Sequence, residues 1–414
     1  MNINNFHTIC VVGFGRTGVY LVDLLVKLGK RVKVTDKKDK ENFSPFLIKR
    51  FSQAKVNFEF SQHTKSFIEG SDLVVVSPGV DIQNTPIIEI ADKEGIPVVG
   101  EIELVSWLTS AKIVAITGTN GKTTTSFLTY RILKRKGKNV YLAGNIGIPF
   151  SCYALVLKPS DIVILEVSSF QLESIIEFKP FIACLLNLKP DHLDRYQDFD
   201  SYIRAKLNIF RNHTGNEWAV LNKEIFNLKT ITKNINSRIV YFSSELSNPN
   251  FSAVYRVLSI LGIDKTDCIK FFADFKGLPH RFQIVRKVRG ITFINDSKAT
   301  NPTSTIWALK NINSDIILIA GGKDKGLDYT VVKPYLRRVK KINLIGESAD
   351  KIRESLSYDR RVYLFNSLRE AVRDAYASAG SKDTVLFSPM CSSFDMFSNY
   401  IERGRRFIEI VNAL

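Results

Sequence analysis

The chain has 414 residues, enough for about two to four domains at roughly 100–200 residues each. Hydrophobic residues make up 45% and charged residues 24%, an ordinary globular composition that excludes a disordered or disulfide-built protein. Lysine and arginine number 58 against 41 acids, a net charge of +17 that suggests anionic partners: nucleic acid, a membrane surface or phosphorylated small molecules. In chain order, short apolar runs then alternate with helical stretches. They are Thr8–Gly13, Val32–Asp36, Asp72–Ser77 and Ile96–Gly100, each bounded by glycine, proline or charge, and this pattern is that of a parallel α/β sheet. The rhythm restarts at Ile113–Thr117, continuing through Asn139–Leu142, Ile162–Val167 and Ile182–Leu186. It restarts again at Ile291–Asn295, followed by Ile316–Ala320, Ile342–Ile345, Val362–Phe365 and Thr384–Phe387. These restarts predict an α/β protein of three domains, 1–100, 101–277 and 278–414, each a mostly parallel sheet with flanking helices.

The first strand runs into Gly13-Phe14-Gly15-Arg16-Thr17-Gly18 and the apolar helix Val19–Leu28, and Asp36 ends the next strand 18 residues beyond Gly18. Glycines allow the tight turn, and a helix N-terminus offers free N–H groups to phosphate oxygens. Alone, this turn suggests a nicotinamide or flavin site. The second turn, Gly118-Thr119-Asn120-Gly121-Lys122-Thr123-Thr124, follows the buried strand Ile113–Thr117 and opens the helix Thr125–Arg135. Its Gly-Lys-Thr core supplies backbone N–H groups, a lysine for the β- and γ-phosphates and a hydroxyl for Mg²⁺. Ile116 stands where the generic phosphate loop has its first glycine. A lysine at a glycine turn has no packing purpose, so triphosphate binding is the stronger expectation.

Downstream, Asp161–Glu166 is a strand ending in an acid, where a phosphate-loop enzyme places a Mg²⁺-coordinating carboxylate, and the next strand leads into Asn187-Leu188-Lys189-Pro190-Asp191-His192. Parallel strands bring their C-terminal ends to one edge, so Glu166 and His192 are expected to face the Lys122 loop. Lys206 lies on a helix beginning near Ser201, among Ile203, Leu207 and Phe210. Such a lysine either snorkels to solvent or is a partly buried amine available for chemistry.

The five cysteines, Cys10, Cys152, Cys184, Cys268 and Cys391, are scattered, which fits a reducing compartment and argues against structural zinc. No apolar run approaches the roughly 20 residues of a membrane span. The N-terminus reads as a first strand rather than a signal peptide, so a cytoplasmic protein is expected. The basic clusters Lys37-Lys38, Arg131–Lys138, Arg337–Lys341 and Arg403–Arg406 lie far apart and read as solvated faces, with no specific nucleic-acid partner.

Several motifs taken together resemble the Mur ligases. They are Gly118–Thr124, Glu166-Val167-Ser168-Ser169-Phe170-Gln171-Leu172-Glu173, Asn187 to Tyr196, Gly277–Phe282 and Asp296-Ser297-Lys298-Ala299-Thr300-Asn301, in that order. The Ser-Ser-Phe-Gln-Leu stretch and Ser388 to Asp395 are similar to the branch that adds D-glutamate. The resemblance spans Gly13 to about Gly404 and implies Rossmann-like outer domains around a central ATPase-like one. It further implies an ATP-dependent ligase of peptidoglycan precursor synthesis, expected to act as a monomer. UDP-N-acetylmuramoyl-L-alanine would be activated as an acyl phosphate and then attacked by D-glutamate.

By the same resemblance, ATP is held by Gly118, Thr119, Asn120, Gly121, Lys122, Thr123 and Thr124, with Arg281, Asp296 and Lys298 from the third domain. Of the stretch used near adenine, reduced here to Leu246-Ser247-Asn248-Pro249-Asn250, only Asn250 keeps a match. Thr123 and Glu166 are implied as partners of one Mg²⁺ and His192 of a second. Lys206 is implied to carry a carbamate formed from CO₂ that holds or orients the second ion. Arg16, Thr17, Asp36, Lys37 and Gly79 would hold the UDP portion of the first substrate, with Asn145 and His192 nearer its reacting carboxylate. Thr300, Lys325, Ser393 and Tyr400 would bind D-glutamate, Tyr400 standing where phenylalanine is usual. Lys122, Glu166, His192 and Lys206 are the expected catalytic set. Three alternatives stay open: a sister ligase for another amino acid, a nicotinamide-dependent oxidoreductase, and a phosphate-loop protein working on nucleic acid.

Overall fold

A computed structural model describes residues 1–246 and 248–414; Ser247, within the stretch read for adenine, lies outside the described residues. The chain divides into two units, Met1–Leu188 with Ile203–Ala273, and Lys189–Tyr202 with Asp274–Leu414.

The first unit contains two parallel sheets. One is built from β1 (Thr8–Val12), β2 (Arg31–Asp36), β3 (Asn57–Phe60), β4 (Leu73–Val76) and β5 (Val98–Gly100), in the order β3-β2-β1-β4-β5. The other has β6 (Lys112–Thr117), β7 (Val140–Gly144), β8 (Ile162–Glu166), β9 (Ile182–Leu185), β10 (Trp218–Asn222) and β11 (Arg238–Phe242), in the order β11-β10-β9-β6-β8-β7. The strands β4, β8 and β9 are buried at every residue. That is why they read as continuous apolar runs: helices cover both faces of a parallel sheet. In each sheet the glycine turn follows the strand where the order reverses, β1 and β6, the position at which such sheets leave a crevice for ligand.

The second unit holds β12 (Gln283–Val288), β13 (Ile291–Asn295), β14 (Ile316–Gly321), β15 (Val339–Ile345), β16 (Val362–Phe365) and β17 (Thr384–Phe387), in the order β12-β13-β17-β14-β15-β16. Only β12 is antiparallel, pairing with β13. Three α/β sheets with flanking helices are therefore present, as the restarts in the apolar rhythm predict.

Some elements differ from the sequence reading. The strands β3, β10, β11 and β12 are absent from that reading, because β3, β11 and β12 are edge strands only half buried and lack a continuous apolar run. The segment Val220–Asn250 carries β11, which completes the second sheet. The helix of the phosphate loop spans Lys122–Arg135 and so begins at the lysine itself.

The two sheets of the first unit are tied by the short helix Glu101–Ser106. The Glu103 carboxylate accepts the backbone N–H groups of Ile176 (2.9 Å), Glu177 (2.8 Å) and Phe178 (2.8 Å) and the Trp107 indole N–H (2.8 Å). Glu101 accepts the amide (2.8 Å) and hydroxyl (2.6 Å) of Ser151, while burial pushes its carboxyl above the usual range. Buried carboxylates of this kind are tolerated only when donors converge on them.

Candidate active site

The phosphate loop leaves β6 at Thr117, and Gly118 and Gly121 adopt positive φ (147° and 85°). At Gly121 a Cβ would collide with the side-chain amide of Asn250, so only glycine fits there. Asn250 thus lies against the loop, at the start of the helix Pro249–Ile260. Asn187, just after β9, straps the loop from below. Its carbonyl accepts Thr119 N–H (3.0 Å), its side-chain oxygen accepts Asn120 N–H (2.9 Å), and its amide donates to Asn120 O (3.0 Å). The sequence reading quoted Asn187 without giving it a role; its place directly after an apolar strand at the crevice edge was the available signal. Thr123 is buried in the first helical turn and Thr124 half-buried beside it.

Lys122 donates to Gly118 O (2.7 Å) and Thr119 O (2.9 Å). Lys206, at the end of the helix Phe199–Leu207, is only 1% exposed and donates to the same Gly118 carbonyl (3.1 Å). The snorkelling reading of Lys206 is therefore overturned: its ammonium turns inward to the phosphate loop. Two ammonium groups share one carbonyl oxygen, an arrangement that like-charge repulsion opposes.

Glu166 ends β8 beside β6, with its Cα paired to Ile116, and is 1% exposed. Asn145, after β7, donates its side-chain amide to Glu166 Oε1 (2.9 Å) and its backbone N–H to Glu166 O (2.9 Å). Glu166 Oε2 is buried with no hydrogen-bond partner among the described residues. An orphaned carboxylate oxygen costs several kcal/mol by typical scales unless a cation or proton satisfies it. A carboxylate oxygen is a hard donor of the kind that Mg²⁺ takes. Among the described residues no three His, Cys, Asp or Glu side chains form a metal cage. That sparse protein set suits an ion that keeps water and takes its remaining ligands from phosphate.

In the first sheet the glycine turn is closed by Asp36, whose two oxygens accept the N–H groups of Phe14 (2.6 Å) and Lys38 (2.9 Å). Gly18 packs so closely on Gly13 that a Cβ would strike the Gly13 carbonyl. Arg16 and Lys37 are exposed at the turn and Thr17 is half-buried. Gly79 is exposed in the loop after β4, where Pro78 and Val80 line a cleft with Phe170 and Gln171. The Ser168–Gln171 stretch has a local reason as well. It is a capping box, with Ser168 Oγ accepting Gln171 N–H and the Gln171 side chain accepting Ser168 N–H.

The second unit brings together the residues read for amino acid and nucleotide. Lys325, 8% exposed, donates to Asp191 Oδ1 (3.1 Å), and Asn301 donates to Asp191 Oδ2 (3.1 Å). Burial alone would raise Asp191, but Lys325, His192 and the bonds from Asn301 and Lys325 outweigh it and lower the carboxyl to about 2. His192 follows with φ 57°, an uncommon conformation for a residue with a side chain. Asp296 accepts Phe282 N–H (3.0 Å) and Ser388 O–H (3.1 Å), and burial raises it to about 7. Lys298 sits with its ammonium 3.8 Å from the centre of the Tyr400 ring. Ser393 is buried, while Arg281 and Thr300 are half-buried. Lys122, Glu166 and Lys206 therefore belong to the first unit and His192, Lys325 and Lys298 to the second. Asp191, which holds Lys325, was not singled out from sequence.

Residues 7–100 match the MurD-like N-terminal domain of Mur ligases, 116–264 the Mur ligase middle domain and 280–391 the Mur ligase glutamate ligase domain. The UDP-N-acetylmuramoylalanine–D-glutamate ligase of Caldanaerobacter subterraneus subsp. tengcongensis is 37% identical over 441 residues, covering 98% of each chain. The chain belongs to the Mur ligase family. The ligase of the same name from Geotalea uraniireducens is 38% identical over 442 residues, 98% of this chain and 97% of that one. Solved Mur ligases share the fold at lower identity. UDP-N-acetylmuramate-alanine ligase MurC of Thermotoga maritima gives a TM-score of 0.59 at 19% identity over 99% of both chains. MurF ligase of Thermotoga maritima, solved with ADP, gives 0.61 at 16% identity over 92% of this chain and 94% of that one. No helix among the described residues of this Mur ligase is long and apolar enough to cross a membrane.

Proposed function

We propose that this Mur ligase joins D-glutamate to UDP-N-acetylmuramoyl-L-alanine, splitting ATP to ADP and phosphate. The full-length likeness to ligases of that name supports the substrates. The observation that carries the chemistry is the glycine loop strapped by Asn187, with Lys122 and the partnerless Glu166 oxygen in the same unit.

The substrate carboxylate attacks the γ-phosphorus of ATP, ADP leaves, and an acyl phosphate forms. The D-glutamate amine then attacks the acyl carbon, loses a proton, and phosphate departs with its bonding pair. The first step brings two anions together, which at 4 Å and an effective dielectric of 20 costs about 4 kcal/mol per pair of unit charges. Lys122 and the amides of Gly118–Thr124 offset that repulsion by position and charge. When bound, Mg²⁺ at Thr123 and Glu166, with a second ion at His192 and a carbamylated Lys206, would neutralise phosphate and carboxylate oxygens. A carbamate on Lys206 would put an anion able to hold or orient a metal ion beside the phosphate loop, whose Gly118 carbonyl the Lys206 amine reaches.

Asn250, Arg281, Asp296 and Lys298 complete the ATP site in this reading. Arg16, Thr17, Asp36, Lys37, Gly79 and Asn145 hold the UDP substrate. Lys325, Thr300, Ser393 and Tyr400 take the two carboxylates of D-glutamate, as an ammonium and several donors suit them. Working domains of 1–100, 101–277 and 278–414, each carrying one sheet, follow the same division. A monomer working in the cytoplasm completes the reading. Phosphate release from ATP with UDP-N-acetylmuramoyl-L-alanine is the test, run across a panel of amino acids. Release confined to D-glutamate is expected, and equal or greater release with another amino acid would reassign the chain to a sister activity.

A further inference from the structure

The helix Tyr400–Asn412 begins with a buried cation that no step above uses. Arg403 is 1% exposed, although it belongs to a basic cluster that reads as a solvated face. Among the described residues its guanidinium makes four hydrogen bonds, none of them to a carboxylate. Nε donates to Ser297 Oγ (3.1 Å) and Nη2 to Ser297 O (2.9 Å). Nη2 also reaches Cys391 O (3.0 Å), and Nη1 donates to Ser392 O (2.9 Å). Burial lowers its pKa only to about 10, so the group stays charged near neutrality.

Burying a charge against neutral carbonyls is costly and is seldom kept for stability alone, since an apolar side chain of similar size does as well. The planar fork does what an apolar group cannot: it fixes two separate strand-end segments against each other. One segment is Asn295–Lys298, which carries Asp296 and Lys298. The other is Cys391–Ser393, which carries Ser393. The same helical turn adds further ties. Ser297 Oγ donates to Tyr400 O (2.9 Å), Asn295 donates its side-chain amide to Gly404 O (3.1 Å), and the Tyr400 ring lies under Lys298. Ser392 in turn pairs with Lys323, two residues before Lys325, through N–H to O bonds of 3.0 Å and 3.2 Å. A Cβ at Gly404 would collide with the His280 ring, so the helical turn packs against His280 too closely to carry a side chain there.

We propose that Arg403 is a positioning residue that locks the nucleotide-side segment Asn295–Lys298 and the amino-acid-side segment Cys391–Ser393 in one register, so that ATP and the incoming amino acid are presented together. The proposal rests on the ligase reading above. Arg403 touches neither substrate in it, so its loss acts through Lys298, Ser393 and Lys325.

The experiment is steady-state kinetics on the full chain with ATP, D-glutamate and the UDP-linked substrate varied in turn, for wild type, Arg403→Lys and Arg403→Met, with a melting curve for each. The KM values for ATP and for D-glutamate are expected to rise together by about tenfold in Arg403→Met, with Arg403→Lys in between. The KM for the UDP substrate, whose main contacts are read in the first unit, should stay within about twofold. If Arg403→Met does not melt cooperatively, Ser297→Ala decides, with the same paired rise expected at about threefold. Folded variants with unchanged KM values, a rise for only one of ATP and D-glutamate, or equal rises for all three substrates would overturn the lock. A wild-type chain that turns over beside such variants overturns the lock alone, whereas a wild type that releases no phosphate with D-glutamate overturns the ligase reading and the lock with it.

Discussion

Lys206 and Asp296 are both buried ionisable groups, and their surroundings predict opposite uses. Lys206 shares the Gly118 carbonyl with Lys122, which places two amines at one acceptor of the phosphate loop. Lys206→Met is expected to lose at least about 100-fold in turnover while still melting cooperatively. Turnover within tenfold of wild type, or equal wild-type activity in CO₂-depleted and CO₂-supplied buffer, would remove the carbamate. Asp296 titrates the other way from a paired carboxylate. Its folded pKa, about 7, lies above the ordinary 3.8, so the folded state holds the proton more tightly. Its contribution is fully present below the unfolded pKa and is lost as pH rises through 7, amounting to a few kcal/mol by linkage. Asp296→Asn should therefore raise the melting temperature more at pH 8 than at pH 5. A shift of equal size at both pH values would show that burial does not govern this carboxyl.

At the scale of elements, the site depends on short connections more than on long helices. The stretch Ser168–Gln171 reads in sequence as a signature of substrate choice, yet its first duty is the capping box that starts the helix Ser169–Leu172. The helix Glu101–Ser106 is equally short and ties the two sheets of the first unit through Glu103. Glu103→Ala would strand three backbone N–H groups and the Trp107 indole N–H, a loss of about 3 kcal/mol or more. Urea unfolding should show that loss, with turnover of the surviving folded fraction nearly unchanged. A stability change below about 1 kcal/mol would mean that water or a rearranged loop takes the carboxylate's place.

For the whole molecule, residues read for one nucleotide fall in both units, Lys122 and Glu166 in the first and Arg281, Asp296 and Lys298 in the second. The proposed function assigns these residues to one ATP, and substrate-driven closure in other multidomain enzymes is the precedent for testing it in solution. Solution scattering with a non-hydrolysable ATP analogue and the UDP substrate is expected to differ from that of the free protein. Superimposable curves would count against a shared nucleotide site.

Much of this was legible in the chain itself. Fully buried parallel strands leave unbroken apolar runs, and glycine turns at β1 and β6 need particular residues at fixed spacing, so the three sheets and the phosphate loop could be read locally. Half-buried edge strands such as β3 and β11 carry weaker periodicity and were not visible. Residues that act through distant partners were hidden for a related reason. Arg403 looked like one more basic surface residue, Asp191 like a loop acid, and Lys206 could equally have pointed to solvent. Burial and hydrogen bonding are relations between segments up to 106 and 134 residues apart, as for Arg403 with Ser297 and Lys325 with Asp191. Side-chain identity limits which bonds a residue can make, but only the folded chain decides which partner comes within reach.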